Sequence, residues 1–135
     1  MPFIASPPLT PKTRKIFSAK VITGYRRGKI LGFPTLNLTI PSDFNFQPGI
    51  YAGWVFIGQT KFMGAFHYGP VPTFDQPDNS LEVFVLNTSF NSTPSQVNFQ
   101  LVKHLRAIKT FTSPDHLATQ IKKDVLLTEE ILSTS

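Results

Sequence analysis

Apolar and polar residues alternate with a period of two along much of this chain. Lys15 to Thr23 sets Ile16, Ser18, Lys20 and Ile22 against Phe17, Ala19 and Val21, which predicts a first strand. Leu36 to Ile40 alternates again and predicts a second, stopped by Pro41-Ser42-Asp43. Pro48-Gly49 is a turn signal, and Ile50 to Ile57 after it predicts a third strand carrying Tyr51, Trp54 and Phe56. Gly58-Gln59-Thr60 reads as a hairpin turn into a fourth strand, Lys61 to Tyr68. A long loop follows from Gly69 to Ser80, then a fifth strand, Leu81 to Leu86. Asn87 to Ser95 is polar and turn-rich, and Gln96 to Leu105 predicts a sixth strand with Val97, Phe99 and Leu101 on one face.

The period then lengthens to that of a helix. Ser113-Pro114-Asp115 supplies a capping hydroxyl, a proline at the first helical position and an acid in the first turn. Leu117, Ile121 and Val125 recur at four-residue steps, with Leu132 two turns on, so one amphipathic helix lays its apolar stripe on the sheet. Six short strands and a terminal helix predict a mainly β fold, a small closed barrel with the helix packed on it. Residues 1–13 hold four prolines and little periodicity and read as a flexible lead-in, leaving 14–135 as one domain.

Composition sharpens this picture at three points. Thirteen phenylalanines are enough to fill a compact interior. The absence of cysteine removes disulfide and thiolate chemistry and fits a cytoplasmic protein. No apolar run approaches the roughly 18–20 residues of a spanning helix, and no secretory signal is visible, so no membrane role is expected. Net charge is +5, and seven of the thirteen Lys/Arg lie between Lys12 and Lys29 with no acid among them. Such a segment favours an anionic partner, a nucleotide or a nucleic acid, or is simply a solvated basic surface.

One stretch concentrates the chemistry: Gly24-Tyr-Arg-Arg-Gly-Lys-Ile-Leu-Gly-Phe-Pro-Thr-Leu-Asn37. Glycines let the backbone turn sharply and approach a ligand, and Lys29 can hold an anion as a point charge. Thr35 and Asn37, one residue apart on an extended segment, put two neutral oxygens on one face, which suits magnesium completed by phosphate and water. The alternative is a basic hairpin connection. It is neither a P-loop nor a dinucleotide fingerprint, since the glycine spacing fails both.

Glu82 is the second informative position, because Leu81-Glu-Val-Phe-Val-Leu86 is otherwise apolar. It shares a face with Phe84 and Leu86. If that face points inward, the carboxylate is buried and can work as a general base; the alternative is an exposed Glu at the end of an edge strand. His67, His104 and His116 have no metal spacing and read as structural or surface residues, and Ser113 is a helix cap rather than a nucleophile.

Gly32-Phe-Pro-Thr-x-Asn37, Pro48-Gly-Ile-Tyr-Ala52, Gly69-x-x-Pro-Thr-Phe74, Leu81-Glu-Val83, Leu105-Arg106 and Phe111-x-Ser-x-x-x-Leu117-x-x-x-Ile121-x-x-Asp124 occur in the order seen in the riboflavin kinase family. The chain resembles that family from about Ser18 to Asp124. The resemblance implies a six-stranded Greek-key barrel with a C-terminal helix. It implies that Gly24 and Lys29 belong to an ATP-phosphate loop, that Thr35 and Asn37 are a magnesium-binding pair with Thr35 also beside ATP, and that Asn87 lies near the nucleotide. It further implies that Glu82 is the catalytic carboxylate and that Arg106, Lys109 and Phe111 contact the flavin. The implied reaction converts riboflavin and MgATP to FMN and ADP in a monomer without a nucleic-acid partner. Many bacterial relatives carry an N-terminal FAD-forming domain, for which this length leaves no room, so FAD synthesis is not expected. Two rivals stand beside this reading: a flavin-binding barrel without turnover, and a basic barrel that binds single-stranded nucleic acid, although the aromatics of the third strand look like core.

Overall fold

The structure is a computed structural model that describes residues 14–22, 34–70, 79–90 and 92–134. The lead-in, the stretch 23–33 that holds Gly24 and Lys29, and 71–78 of the long loop lie outside the described residues. The strands are β1 Phe17–Ile22, β2 Thr35–Leu38, β3 Gly49–Ile57, β4 Thr60–Pro70, β5 Asn79–Val85 and β6 Gln96–Arg106, followed by the helix α1 Pro114–Ser133. All six expected strands and the helix are present. Their ends move by at most two residues: β2 begins at Thr35 and stops at Leu38, and β4 runs on to Pro70.

The strands close into an antiparallel barrel in the order β1-β2-β5-β4-β3-β6. β3, β4 and β5 follow one another, and β6 returns to lie beside β3, which is Greek-key connectivity. Closure pairs both sides of every strand and leaves no open edge.

Side chains fill the interior. Phe17, Leu36, Leu38, Tyr51, Val55, Phe66, Leu81, Val83, Val85, Val97, Phe99 and Leu101 form one buried cluster. Phe99 stacks on Phe17 at 5.3 Å between ring centroids and tilts against Phe66 at 5.5 Å. Phe44, from the β2–β3 connection, joins this cluster edge-on to Phe17 and Tyr68. Gly53 marks a tight point: a Cβ there would come within 2.3 Å of the Gln100 carbonyl oxygen, beside a register shift between β3 and β6. Only glycine allows the two backbones to approach so closely.

Two smaller clusters lie outside the barrel, under the helix. Ala65, Phe84 and Leu86 pack on Ile121 and Val125, and Ala52 and Val102 pack on Leu132 with Trp54 and Met63. The expected stripe therefore faces the sheet, with Leu117 half-buried at its start, and it also carries two polar residues, Asp124 and Thr128. Ser113 caps the helix as expected: its Oγ accepts a hydrogen bond from the His116 amide at 3.2 Å. One expectation needs correcting. Of the third-strand aromatics Tyr51 is inside the barrel, but Trp54 is outside it, under the helix end, with the Lys61 ammonium 4.0 Å from its ring centroid. The strand turns its odd positions inward, so an even-numbered aromatic faces out.

Candidate active site

Glu82 does share a face with Phe84 and Leu86, but that face is the outside of the barrel; Leu81, Val83 and Val85 point in. Glu82 is nevertheless only 3% exposed. Both faces of β5 are covered, the inner by the core and the outer, at Phe84 and Leu86, by α1. A buried carboxylate results even though it does not enter the interior.

Register decides what surrounds it. Glu82 lies opposite Asn37 on β2 and opposite His67 on β4. His67 lies opposite Ile50 on β3, and Ile50 opposite Arg106 on β6. Directly opposed residues of an antiparallel pair project from the same face, with Cβ atoms about 4.5–5.5 Å apart. Asn37, Glu82 and His67 thus form a polar row across three adjacent strands, with Arg106 at the far end beyond Ile50. Thr35 stands one step away on the same face of β2, opposite Phe84. Asn37 and His67 are 6% and 7% exposed. Three polar side chains buried side by side on an apolar wall are costly unless mutually satisfied, and such rows belong to sites rather than to cores.

A cleft of about 410 Å³, counted to its solvent-open mouth, lies between this wall and the start of α1. His67, Phe84, Arg106, Lys109, Phe111 and Asp124 contribute to its lining. Lys109 is exposed and Phe111 half-buried, both on the segment that joins β6 to α1. The Arg106 guanidinium is held in place. Nε and Nη2 donate to Asp124 Oδ1 and Oδ2 at 2.9 and 2.7 Å, and Nη1 donates to the Ala107 carbonyl at 2.9 Å. Gln120 Nε2 adds a 3.0 Å bond to Asp124 Oδ1. The fork-on-fork pair ties α1 to the barrel and fixes the cation in the cleft wall.

The expected site residues therefore divide. Arg106, Lys109 and Phe111 meet in one cleft. Glu82 is one strand from it in register, and Asn37 and Thr35 are one strand further on. Asn87 stands apart: it is exposed past the end of β5, with φ of 58°. That left-handed conformation suits asparagine and accounts for the residue as a turn former. Gly24 and Lys29 are outside the described residues. Sequence reasoning passed over His67 and Asp124 as site residues. Asp124 did leave a signal, since an acid on the buried stripe between Ile121 and Val125 requires a partner. His67 left none, because only the β4–β5 register puts it beside Glu82.

Among the described residues no cluster of three His, Cys, Asp or Glu side chains is placed to hold a metal ion. On the β2 side of Glu82 the donors are the neutral oxygens of Thr35 and Asn37, and His67 stands on the β4 side. A buried amide and a hydroxyl beside a carboxylate fit a hard cation that takes its other ligands from phosphate and water, and fit a soft metal poorly. Among the described residues no helix is long and apolar enough to cross a membrane.

Known proteins share this arrangement of strands and sequence. The family model described as riboflavin kinase (flavokinase) matches residues 12–132. The bifunctional riboflavin kinase/FMN adenylyltransferase of Escherichia coli K12 is 30% identical over 114 residues, covering 84% of this chain and 36% of that protein. The protein of the same name from Haemophilus influenzae is 33% identical over 115 residues, covering 84% and 37%. This chain thus spans little more than a third of the curated relatives it matches. Among solved structures, a Streptococcus pneumoniae protein named as a macrolide-efflux protein superposes with a TM-score of 0.72 at 26% identity, over 86% of this chain and 38% of its own. The riboflavin kinase of Trypanosoma brucei shares the fold, with a TM-score of 0.62 at 22% identity over 87% of this chain and 79% of its own. With the family model matched across nearly its whole length, the chain belongs to the riboflavin kinase family.

Proposed function

We propose that this chain is an ATP-dependent riboflavin kinase that transfers the γ-phosphoryl group of ATP to the ribityl 5′-hydroxyl of riboflavin, giving FMN and ADP. The observation that carries the reading is the buried Glu82, in register between Asn37 and His67 and one strand from a cleft lined by Arg106, Lys109 and Phe111. In this reading Glu82 accepts the 5′-hydroxyl proton. The oxygen then forms its bond to the γ-phosphorus as the bond to the bridging oxygen of ADP breaks.

Phosphoryl transfer needs positioning and charge neutralisation more than covalent help from the protein. Thr35 and Asn37 are the residues that would hold magnesium. That ion, when bound with ATP, neutralises charge on the phosphate oxygens. Gly24 and Lys29 are assigned to the phosphates, and Asn87 to the nucleotide side. Phe111 offers an aromatic face for a planar ring system, and Lys109 and Arg106 offer donors for its polar edge. The proposed enzyme works as a cytoplasmic monomer without a nucleic-acid partner.

The test is chromatographic. Protein, riboflavin, ATP and magnesium are incubated beside a magnesium-free control, and the flavins are separated. Magnesium-dependent FMN is the expected product. Glu82→Gln is expected to keep the circular dichroism spectrum and lose turnover by about 10²–10⁴-fold, the usual worth of a general base. Near-normal turnover by that variant would remove Glu82 from the role. Flavin bound without any ATP consumption by the unaltered protein would leave a binding barrel in place of an enzyme.

A further inference from the structure

His67 is the side chain of the polar row that the proposed reaction leaves without a task. It is 7% exposed, lines the cleft and stands directly opposite Glu82 in the β4–β5 register. Its own strand places Ala65 on the same outer face, under the helix, while Phe66 and Tyr68 belong to the interior. An apolar residue would fill that position at lower cost, since a buried imidazole must have its ring nitrogens satisfied. An imidazole carries two separate nitrogens. It can keep a contact with the protein through one and meet a ligand through the other.

The placement is also specific. Glu82 and His67 project from neighbouring strands with Cβ atoms about 4.5–5.5 Å apart. Two side chains so spaced can each hydrogen-bond one of two adjacent hydroxyls on a single carbon chain. The cleft offers no other uncharged hydrogen-bonding side chain among its described lining residues: Arg106, Lys109 and Asp124 are ionic, and the remainder are apolar. Neutral hydroxyls of a polyol are therefore matched by His67, while the cations suit a more polar or anionic group.

We propose that His67 is an acceptor-binding residue, whose imidazole hydrogen-bonds the hydroxyl adjacent to the one Glu82 deprotonates and so selects a vicinal-diol chain as acceptor. This rests on the kinase reading above. In that setting the hydroxyl is the ribityl 4′-OH, next to the reacting 5′-OH. The bond places the 5′-oxygen against Glu82 and excludes acceptors whose terminal alcohol has no neighbouring hydroxyl.

Steady-state kinetics of the whole chain with riboflavin and with 4′-deoxyriboflavin test this. His67→Phe keeps a planar ring and removes both nitrogens; His67→Gln restores one amide group at similar reach. For His67→Phe we expect kcat/KM for riboflavin to fall by about tenfold or more, with KM for ATP within twofold of the unaltered protein. We expect 4′-deoxyriboflavin to be used equally poorly by both proteins, because the bond is already missing. His67→Gln is expected to recover a measurable part of the loss with riboflavin only. An equal loss on both acceptors, or a parallel rise in the two KM values, would show a structural role and overturn the proposal. If His67→Phe fails to fold, the comparison of the two acceptors in His67→Gln carries the same decision. Failure of the unaltered protein to make FMN would overturn the kinase reading itself. Normal FMN formation by His67→Phe would overturn only the role of His67.

Discussion

Removing the charge of Asp124 should detach the helix from the barrel and loosen the cleft together. The Asp124 carboxylate is 6% exposed and accepts three hydrogen bonds, two from Arg106 and one from Gln120. In Asp124→Asn one oxygen survives, and the new amide donors face the donors of Arg106 or Gln120. At least one charge-assisted bond is lost and the guanidinium keeps its charge without a counter-ion. Breaking a buried pair from one side costs about 3–5 kcal/mol. Arg106 is 17% exposed and keeps the Ala107 carbonyl, which places the expected loss near the low end, about 3 kcal/mol. With a urea m-value of about 1.5 kcal/mol/M, the unfolding midpoint should fall by about 2 M. The double replacement Arg106→Leu with Asp124→Leu removes both charges and should recover most of that loss, because two apolar side chains of similar bulk need no solvation. Urea melts followed by circular dichroism decide it. A loss below about 1 kcal/mol for Asp124→Asn, or a double variant as unstable as the single, would refute the clamp. Riboflavin binding supplies a second reading: the double variant regains stability but not affinity, since the cation in the cleft wall is gone.

Three further outcomes follow from particular side chains. Asn37→Ala should raise the magnesium concentration needed for half-maximal FMN formation several-fold at saturating ATP; an unchanged magnesium curve would discard its place in a metal site. Thr128 is fully buried on the helix, and its hydroxyl has no hydrogen-bond partner among the described residues. Thr128→Val keeps the shape and removes that group, so it should stabilise by about 1 kcal/mol and raise Tm by a few degrees; a lower Tm in calorimetry would show the hydroxyl to be satisfied. Burial pushes the Tyr51 phenol up to about 12, and its hydroxyl donates to the Gln47 carbonyl at 2.6 Å. Folding raises this pKa, so the contribution is present in full below the unfolded value near 10 and is lost as pH rises towards 12. Tyr51→Phe should therefore lose stability less steeply than the parent between pH 10 and 12 in paired urea melts, and parallel slopes would contradict the assignment.

The elements were legible in the sequence because each rests on local patterning. β1 shows this most clearly: Phe17 and Ala19 are buried while Ser18 and Lys20 are exposed, since no helix covers its outer side. The same alternation fails on β5. There Leu81, Val83 and Val85 face the core while Phe84 and Leu86 face the helix, so the strand reads as uniformly apolar and the pattern does not say which face is inner. Glu82 announced itself as a misfit, but the side to which it belonged depended on packing by a helix more than thirty residues away. The pairing of His67 with Glu82 was beyond reach for a related reason. Register between strands is set by closure of the whole barrel, and a one-residue slip would have sent His67 to the opposite face.

The location of the site follows from the size of the barrel. Six strands enclose only enough space for their own side chains, and here aromatic rings from Phe17, Phe66 and Phe99 occupy it. A ligand of flavin size has to bind outside. An exposed sheet face, however, gives a carboxylate no shelter from water and no fixed neighbours. The terminal helix shelters part of this face. Its apolar stripe covers β3 and β4, and the Arg106–Asp124 clamp fixes its first half over the wall that carries His67. Beyond that cover the row continues to Glu82 and Asn37. In the proposed reaction, acceptor and donor would meet at this one buried carboxylate. It is the register of β2, β5 and β4, rather than any local motif, that lines up Asn37, Glu82 and His67.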